Sequence, residues 1–179
     1  KIKNPGYAIS LGIGLLTEDR KAQGVLLRMP VKWNISITVL RKISNVLTLI
    51  NRKKEKTLVE KLKDQLKIKT PSIEQLVVNL SGGNQQKVAL AKWLASESKI
   101  LIFDEPTRGI DVGAKQEIYT LINELAEKGV GIIISSSDME EILGISDRLI
   151  VLAEGRVAGG LEKEEFSQTE VLKLASGNN

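Results

Sequence analysis

Four residues in a row, Ser81-Gly82-Gly83-Asn84, followed by Gln85-Gln86-Lys87, are the part of this chain best suited to holding an anion. A Ser-Gly-Gly turn that opens a helix presents unbonded backbone N–H groups, and those groups suit phosphate. Glycine at two successive positions also lets the backbone come close to a bound oxygen. Farther on, the apolar run Ile100-Leu101-Ile102-Phe103 ends in Asp104-Glu105. A buried strand ending in two carboxylates can place the first near Mg²⁺, acting through water. The second then sits where it can polarise an attacking water. A phosphate loop of the form Gly-x-x-x-x-Gly-Lys-Ser/Thr, the other element of such chemistry, is nowhere in the 179 residues. Taken singly, a Ser-Gly-Gly is a helix cap and an Asp-Glu a strand end. Their order, with Asp111 downstream, carries the phosphate reading.

Composition narrows the alternatives. Apolar residues make up 42% of the chain, enough for one domain or a large piece of one. The net charge of +4 is modest, and two Phe, two Tyr and two Trp offer little base stacking, so no nucleic-acid partner is expected. Cysteine and histidine are both absent. Disulfides, thiolate metal sites and imidazole acid–base catalysis are therefore excluded within this chain. No apolar stretch reaches the twenty or so residues of a membrane span. The expected location is the cytosol or the cytosolic face of something larger.

The elements that must position these groups read as alternating strands and helices. Ile9 to Leu16 is expected as a short, glycine-interrupted strand, followed by the polar loop Thr17 to Lys21. Val31 to Leu76 is lysine-rich with helical periodicity, and Leu58, Leu62 and Leu66 recur at i+4 as one apolar stripe. Pro71 ends that pattern. Ser81 is the expected N-cap of a helix over 82–95 that buries Val88, Leu90, Ala91 and Leu94. Ile100 to Phe103 is an apolar strand, most simply a buried parallel one. Asp111 caps a helix running to Lys128, with Gly129 as its stop. Strands follow at Val130 to Ile134 and Leu149 to Ala153, with a short helix over 138–144 between them. A turn at Glu154-Gly155 makes a hairpin, and a helix broken near Ser167 ends the chain. This succession argues an α/β architecture with parallel strands.

On these motifs the chain resembles the second, C-terminal ATPase cassette of the fused two-cassette ATPases of bacterial importers for ribose, galactose and related sugars, which are ATP-binding cassette (ABC) proteins. Leu80 to Lys87 is similar to the signature motif in an asparagine-bearing form. Ile100 to Glu105 resembles the Walker B strand, and Pro106 to Lys115 the D-loop with the helix after it. Gly12-Ile13-Gly14, with Glu18 to Lys21 and Gly24, resembles the Q-loop region. Ser135 to Glu141 resembles the switch region, and Asp147-Arg148 with Gly155 the last strand and hairpin. The resemblance implies a P-loop NTPase-like ABC cassette lacking the phosphate-loop strand. Its parts would be a Q-loop strand and loop over 1–23, an inserted helical lobe over 24–79, and the rest of the ABC core over 80–179. The absent strand would sit centrally between those at Val130–Ile134 and Leu149–Ala153, so a fragment without it would be marginal or would pair with another copy.

The same resemblance implies the site. Glu105 would be catalytic and Ser137 a degenerate switch position where active cassettes have histidine. Ser81, Gly82, Gly83, Asn84, Gln85, Asp111 and Glu18 would serve nucleotide binding, and Asp104 would hold Mg²⁺ through water. Glu18 stands in place of the Q-loop glutamine, which would bring negative charge beside the metal and the γ-phosphate. ATP and Mg²⁺ are the implied cofactors of the full-length protein. The implied partners are a first cassette in the same polypeptide or a second copy, transmembrane permease subunits facing the helical lobe and, indirectly, a periplasmic sugar receptor. The implied location is the cytoplasmic side of the cell membrane, as a peripheral component. Two other readings are retained: a nucleotide-free interaction or regulatory module, and a soluble ABC ATPase of the DNA-repair or translation type. Against the DNA-repair type, the stretch from Glu18 to Ser81 is too short for a long coiled coil and has no sustained heptads; against the translation type, its basic linkers and switch histidine are absent.

Overall fold

The computed structural model describes residues 1–176, which fall into two units, Lys1–Ser135 and a second that begins at Ser136. The first unit begins with helix α1 (Pro5–Ser10) and strand β1 (Ile13–Leu16). Ile9 and Ser10 thus lie in a helix rather than in the expected strand. The reason is local: the Asn4 side chain accepts from the Tyr7 N–H, and Pro5 occupies the first turn, where its missing N–H is not needed. A π-helical turn (Arg20–Gly24), capped by Asp19, leads on from β1.

Helices α2 (Val31–Ser36), α3 (Leu40–Ile43) and α4 (Arg52–Gln65) follow, and α2 packs against α4 and α5 (Gly82–Ala95). The periodic segment is therefore three helices with irregular joints. The α4 stripe is centred on Val59 and Leu62 and runs on to Leu66, with Leu58 at its margin. The helix ends by a Schellman turn, before proline can act. Lys67 takes φ +49, its N–H donates to the Asp64 carbonyl, and the Ile68 N–H donates to the Lys63 carbonyl.

Strand β2 (Ile100–Asp104) lies between β1 and β3 (Gly131–Ser135), parallel to both, with Leu101 opposite Gly14 and Ile132. Leu101 and Phe103 are fully buried in this layer, as the apolar run predicts. Helix α6 (Val112–Glu127) connects β2 to β3 and buries Ile118, Ile122 and Leu125. Both α5 and α6 begin where Ser81 and Asp111 cap them. The first unit thus carries the parallel α/β layer.

The second unit contains α7 (Met139–Ile145), capped by Asp138, and the antiparallel hairpin of β4 (Arg148–Ala153) and β5 (Arg156–Glu162). Glu154 and Gly155 both have positive φ, as a two-residue hairpin turn requires. Leu149, Val151, Leu161 and Val171 form its small core, the last from α8 (Gln168–Ala175), which Ser167 caps.

Candidate nucleotide-facing site

Two helix starts define the site in the first unit. Ser81 is extended, with φ −62 and ψ 159, and its Oγ accepts from the Asn84 N–H at 3.4 Å and from Asn84 Nδ2 at 2.9 Å. Asp111 caps α6 in the same way, accepting from the Ala114 N–H at 3.0 Å. Both starts border one open cleft of about 340 Å³, with Lys69, Gly83, Asn84 and Glu117 along its walls. Two helix N-termini and a lysine favour an anion there. The carboxylates of Asp111 and Glu117 oppose it, and Glu117 is largely neutralised: Lys87 Nζ donates to its Oε2 at 2.7 Å. That hydrogen bond, with Lys69 nearby, holds the Glu117 carboxyl below its ordinary range.

The two glycines answer to their own fold as well as to any ligand. A Cβ on Gly83 would stand 2.9 Å from Ala114 Cβ, so α5 and α6 could not approach as they do. A Cβ on Gly82 would stand 2.8 Å from Arg20 Nη2. Gln85, assigned by resemblance to the nucleotide, is buried. Its amide nitrogen donates to the Val77 and Leu80 carbonyls at 3.2 Å each, and it does not line the cleft.

The strand end is under conformational tension. Asp104 is half-buried, with its Cα in register with Ser135. Glu105 has φ +47, a left-handed conformation costing about 1–2 kcal/mol in a residue with a side chain. Its N–H donates to the Ser135 carbonyl at 2.8 Å, and its carbonyl accepts from the Arg108 N–H at 3.2 Å. Such strain gathers at working sites. Among the described residues no three His, Cys, Asp or Glu side chains gather as a metal cage.

Glu18 ion-pairs with Arg108, so the negative charge expected beside metal and phosphate is matched within the chain. Arg20 braces the same loop, Nη1 donating to the Arg108 carbonyl at 2.8 Å and Nη2 to that of Gly109 at 3.2 Å. Burial lowers the pKa of its guanidinium, and Asp19 opposes that shift. Arg20, like Lys69 and Glu117 at the cleft, is not singled out by any pattern in the sequence. Ser137 lies in the second unit, exposed in the turn that leads to α7.

The family model described as ABC transporter matches residues 13–108, from β1 through the signature turn to the loop after β2. The chain belongs to the ABC transporter family. The cassette is 52% identical over 176 residues to the ribose import ATP-binding protein RbsA of Lactococcus lactis subsp. cremoris, covering 98% of this chain and 36% of that protein. It is 50% identical over 174 residues to the protein of the same description in Clostridium tetani, covering 97% and 34%. The cassette thus spans about a third of the length of these relatives. Among solved structures, an ATP-binding cassette of an ABC transporter in its ADP conformation superposes with a TM-score of 0.76 at 24% identity, over 98% of this chain and 72% of that one. The fold is accordingly the α/β, P-loop NTPase-like fold of ABC ATPases.

Proposed function

We propose that this chain is the second, C-terminal cassette of a two-cassette ATPase that drives a carbohydrate importer of the ribose/galactose type. It would work at the cytoplasmic face of the membrane, beside transmembrane permease subunits served by a periplasmic sugar receptor. Among the described residues no helix is long and apolar enough to cross a membrane, which fits a peripheral subunit. The observation that carries the reading is the pair of capped helix starts, at Ser81 and Asp111, bordering one open cleft. An exposed donor set of this kind suits ATP held by another cassette, with Ser81, Gly82 and Gly83 closing over its phosphates in trans. The likeness to ribose import proteins along nearly the whole chain supports the sugar-import assignment.

Within its own half-site the cassette contributes Asp104 toward Mg²⁺ and Glu105 toward the attacking water. When bound, ATP would supply the phosphoanhydride bond and Mg²⁺ would offset the negative charge of its phosphates. Ser137, where an active cassette has histidine, offers a short neutral hydroxyl that cannot become positively charged. This site is thus the weaker of the pair, and Glu105 contributes less than its position suggests. The test is made in the full-length protein, reconstituted with permease and receptor. Glu105→Gln should leave a substantial share of ATPase activity and sugar uptake, and the matching change in the first cassette should stop both. Loss of all turnover with Glu105→Gln would show that this cassette is not the weaker one.

A further inference from the structure

The polarity of the Ser81 hydroxyl is decided at Lys69, on the segment that leaves α4 and fifteen residues before Asn84. The Lys69 N–H donates to Asn84 Oδ1 at 2.7 Å. A backbone N–H can only donate, so the Asn84 amide has one permitted orientation, oxygen toward Lys69 and nitrogen toward Ser81. Nδ2 and the Asn84 backbone N–H both donate to Ser81 Oγ, at 2.9 and 3.4 Å. A hydroxyl oxygen has two lone pairs, and both are engaged. Its proton is left for an acceptor beyond this trio. Among the described residues none receives it, and Ser81 is exposed at the cleft.

We propose that Asn84 is a positioning residue, held by the Lys69 N–H, that commits the Ser81 hydroxyl to donating a hydrogen bond to a phosphate oxygen. The proposal rests on the reading of Ser81 as a phosphate contact. It adds a route by which the helical segment can govern that contact. Lys87 is buried and anchors the same exit segment, Nζ donating to the Lys67 carbonyl at 3.3 Å and to Glu117 at 2.7 Å. While Lys67–Lys69 stays anchored, the amide cannot turn over. If a shift of α4 withdraws the Lys69 N–H, the amide is free to rotate and present its oxygen to Ser81. The hydroxyl then donates inward, and the donor to phosphate is lost. A movement of the helical segment is thereby converted into the presence or absence of one proton at the cleft.

The test uses the full-length protein and steady-state ATP hydrolysis. Asn84→Asp keeps an acceptor for the Lys69 N–H but turns a carboxylate on Ser81, which accepts the hydrogen bond from the serine O–H. At neutral pH kcat/KM for ATP should fall by about 10–100-fold, as expected for a hydrogen bond to a charged group. When the introduced carboxyl is protonated it mimics the amide, one oxygen accepting and its O–H donating. The deficit relative to wild type should therefore shrink as pH falls toward 5. On a Ser81→Ala background the same change should have less than a twofold effect. A deficit constant with pH, or effects of the two substitutions that simply multiply, would overturn the proposal. If Asn84→Asp does not fold, Asn84→Ala replaces it in the same cycle, and its loss too must vanish once Ser81 is alanine. Should Ser81→Ala alone leave kcat/KM unchanged, the phosphate reading of Ser81 fails first and the proposal falls with it.

Discussion

Replacing Gly83 by alanine puts a methyl group 2.9 Å from Ala114 Cβ, with Ile110 Cγ2 another ångström away at 3.9 Å. Carbon atoms settle at about 3.5–4.0 Å, so α5 and α6 must separate or tilt at their N-terminal ends. Overpacking of this kind costs about 1–3 kcal/mol. The helical preference of alanine over glycine offsets up to about 1 kcal/mol of that. A net loss of about 1–2 kcal/mol is expected. Ala114→Gly alone removes a methyl group and costs about 1 kcal/mol through propensity. In the double variant the intruding methyl fills the space vacated, so the two changes should couple favourably by about 1–3 kcal/mol. Urea unfolding of the four proteins, followed by circular dichroism, measures that term. A coupling below about 0.5 kcal/mol, the ordinary error of additivity, would refute the claim that the helix crossing demands glycine. ATPase activity of the full-length protein separates this demand from that of the ligand. The Cβ position points at α6, so the double variant should regain turnover along with stability. Restored stability with lost turnover would mean that phosphate, not α6, forbids the side chain.

Two further outcomes concern the polar contacts of the buried side chains Lys87 and Asn34. The Lys87 hydrogen bond holds the Glu117 carboxyl below its ordinary range, so its contribution is complete above about pH 4.3, the unfolded value, and is lost as pH falls through the lower folded one. Melting temperature should drop more between pH 5 and pH 3 in the wild type than in Glu117→Gln, and an identical drop would contradict the pairing. Asn34 is buried: its Oδ1 accepts from the Leu26 N–H at 2.6 Å, and its Nδ2 donates to the Leu26 and Pro30 carbonyls at 3.0 and 3.1 Å. Asn34→Ala should cost about 2 kcal/mol by leaving these backbone groups unmatched, and a denaturation midpoint unchanged from wild type would show that water replaces the amide without loss.

Helices α5 and α6 are legible in the sequence because their signals are local: a capping side chain, an apolar face and, for α6, Gly129 beyond the end. Strands β2, β3 and β4 are legible as apolar runs, and β5 through the turn that precedes it. What escapes is set by contacts between distant parts of the chain or by backbone states that no residue type announces. Lys67 and Glu105 adopt left-handed φ without being glycine or asparagine, so nothing in their identity gives warning. At Glu105 the carbonyl of Ser135 on the neighbouring strand holds the conformation, through the Glu105 N–H. Helix α1 had a readable signal in Asn4-Pro5, but the apolar residues after it favour a strand by pattern alone.

The candidate site divides along the same line. Residue types identify Ser81, Asp104, Glu105 and Asp111 because each has a chemistry suited to phosphate, metal or water. They do not identify Arg20, an arginine in a polar loop until the fold sets its guanidinium against the Arg108 and Gly109 carbonyls. Nor do they show that Glu18, whose charge is expected beside the metal, has Arg108 as an ion-pair partner. The consequence is asymmetric. A motif can propose groups suited to touch a ligand, since ligand chemistry limits the residue types allowed there, though it also takes in Gln85, which packs inside the fold. The groups that aim them need only a donor or an acceptor at the right place, and many residue types, or the backbone itself, supply one. The Lys69 N–H is the limiting case: any residue but proline would carry it, so sequence alone gives no hint that it fixes the Asn84 amide and, through it, the Ser81 proton.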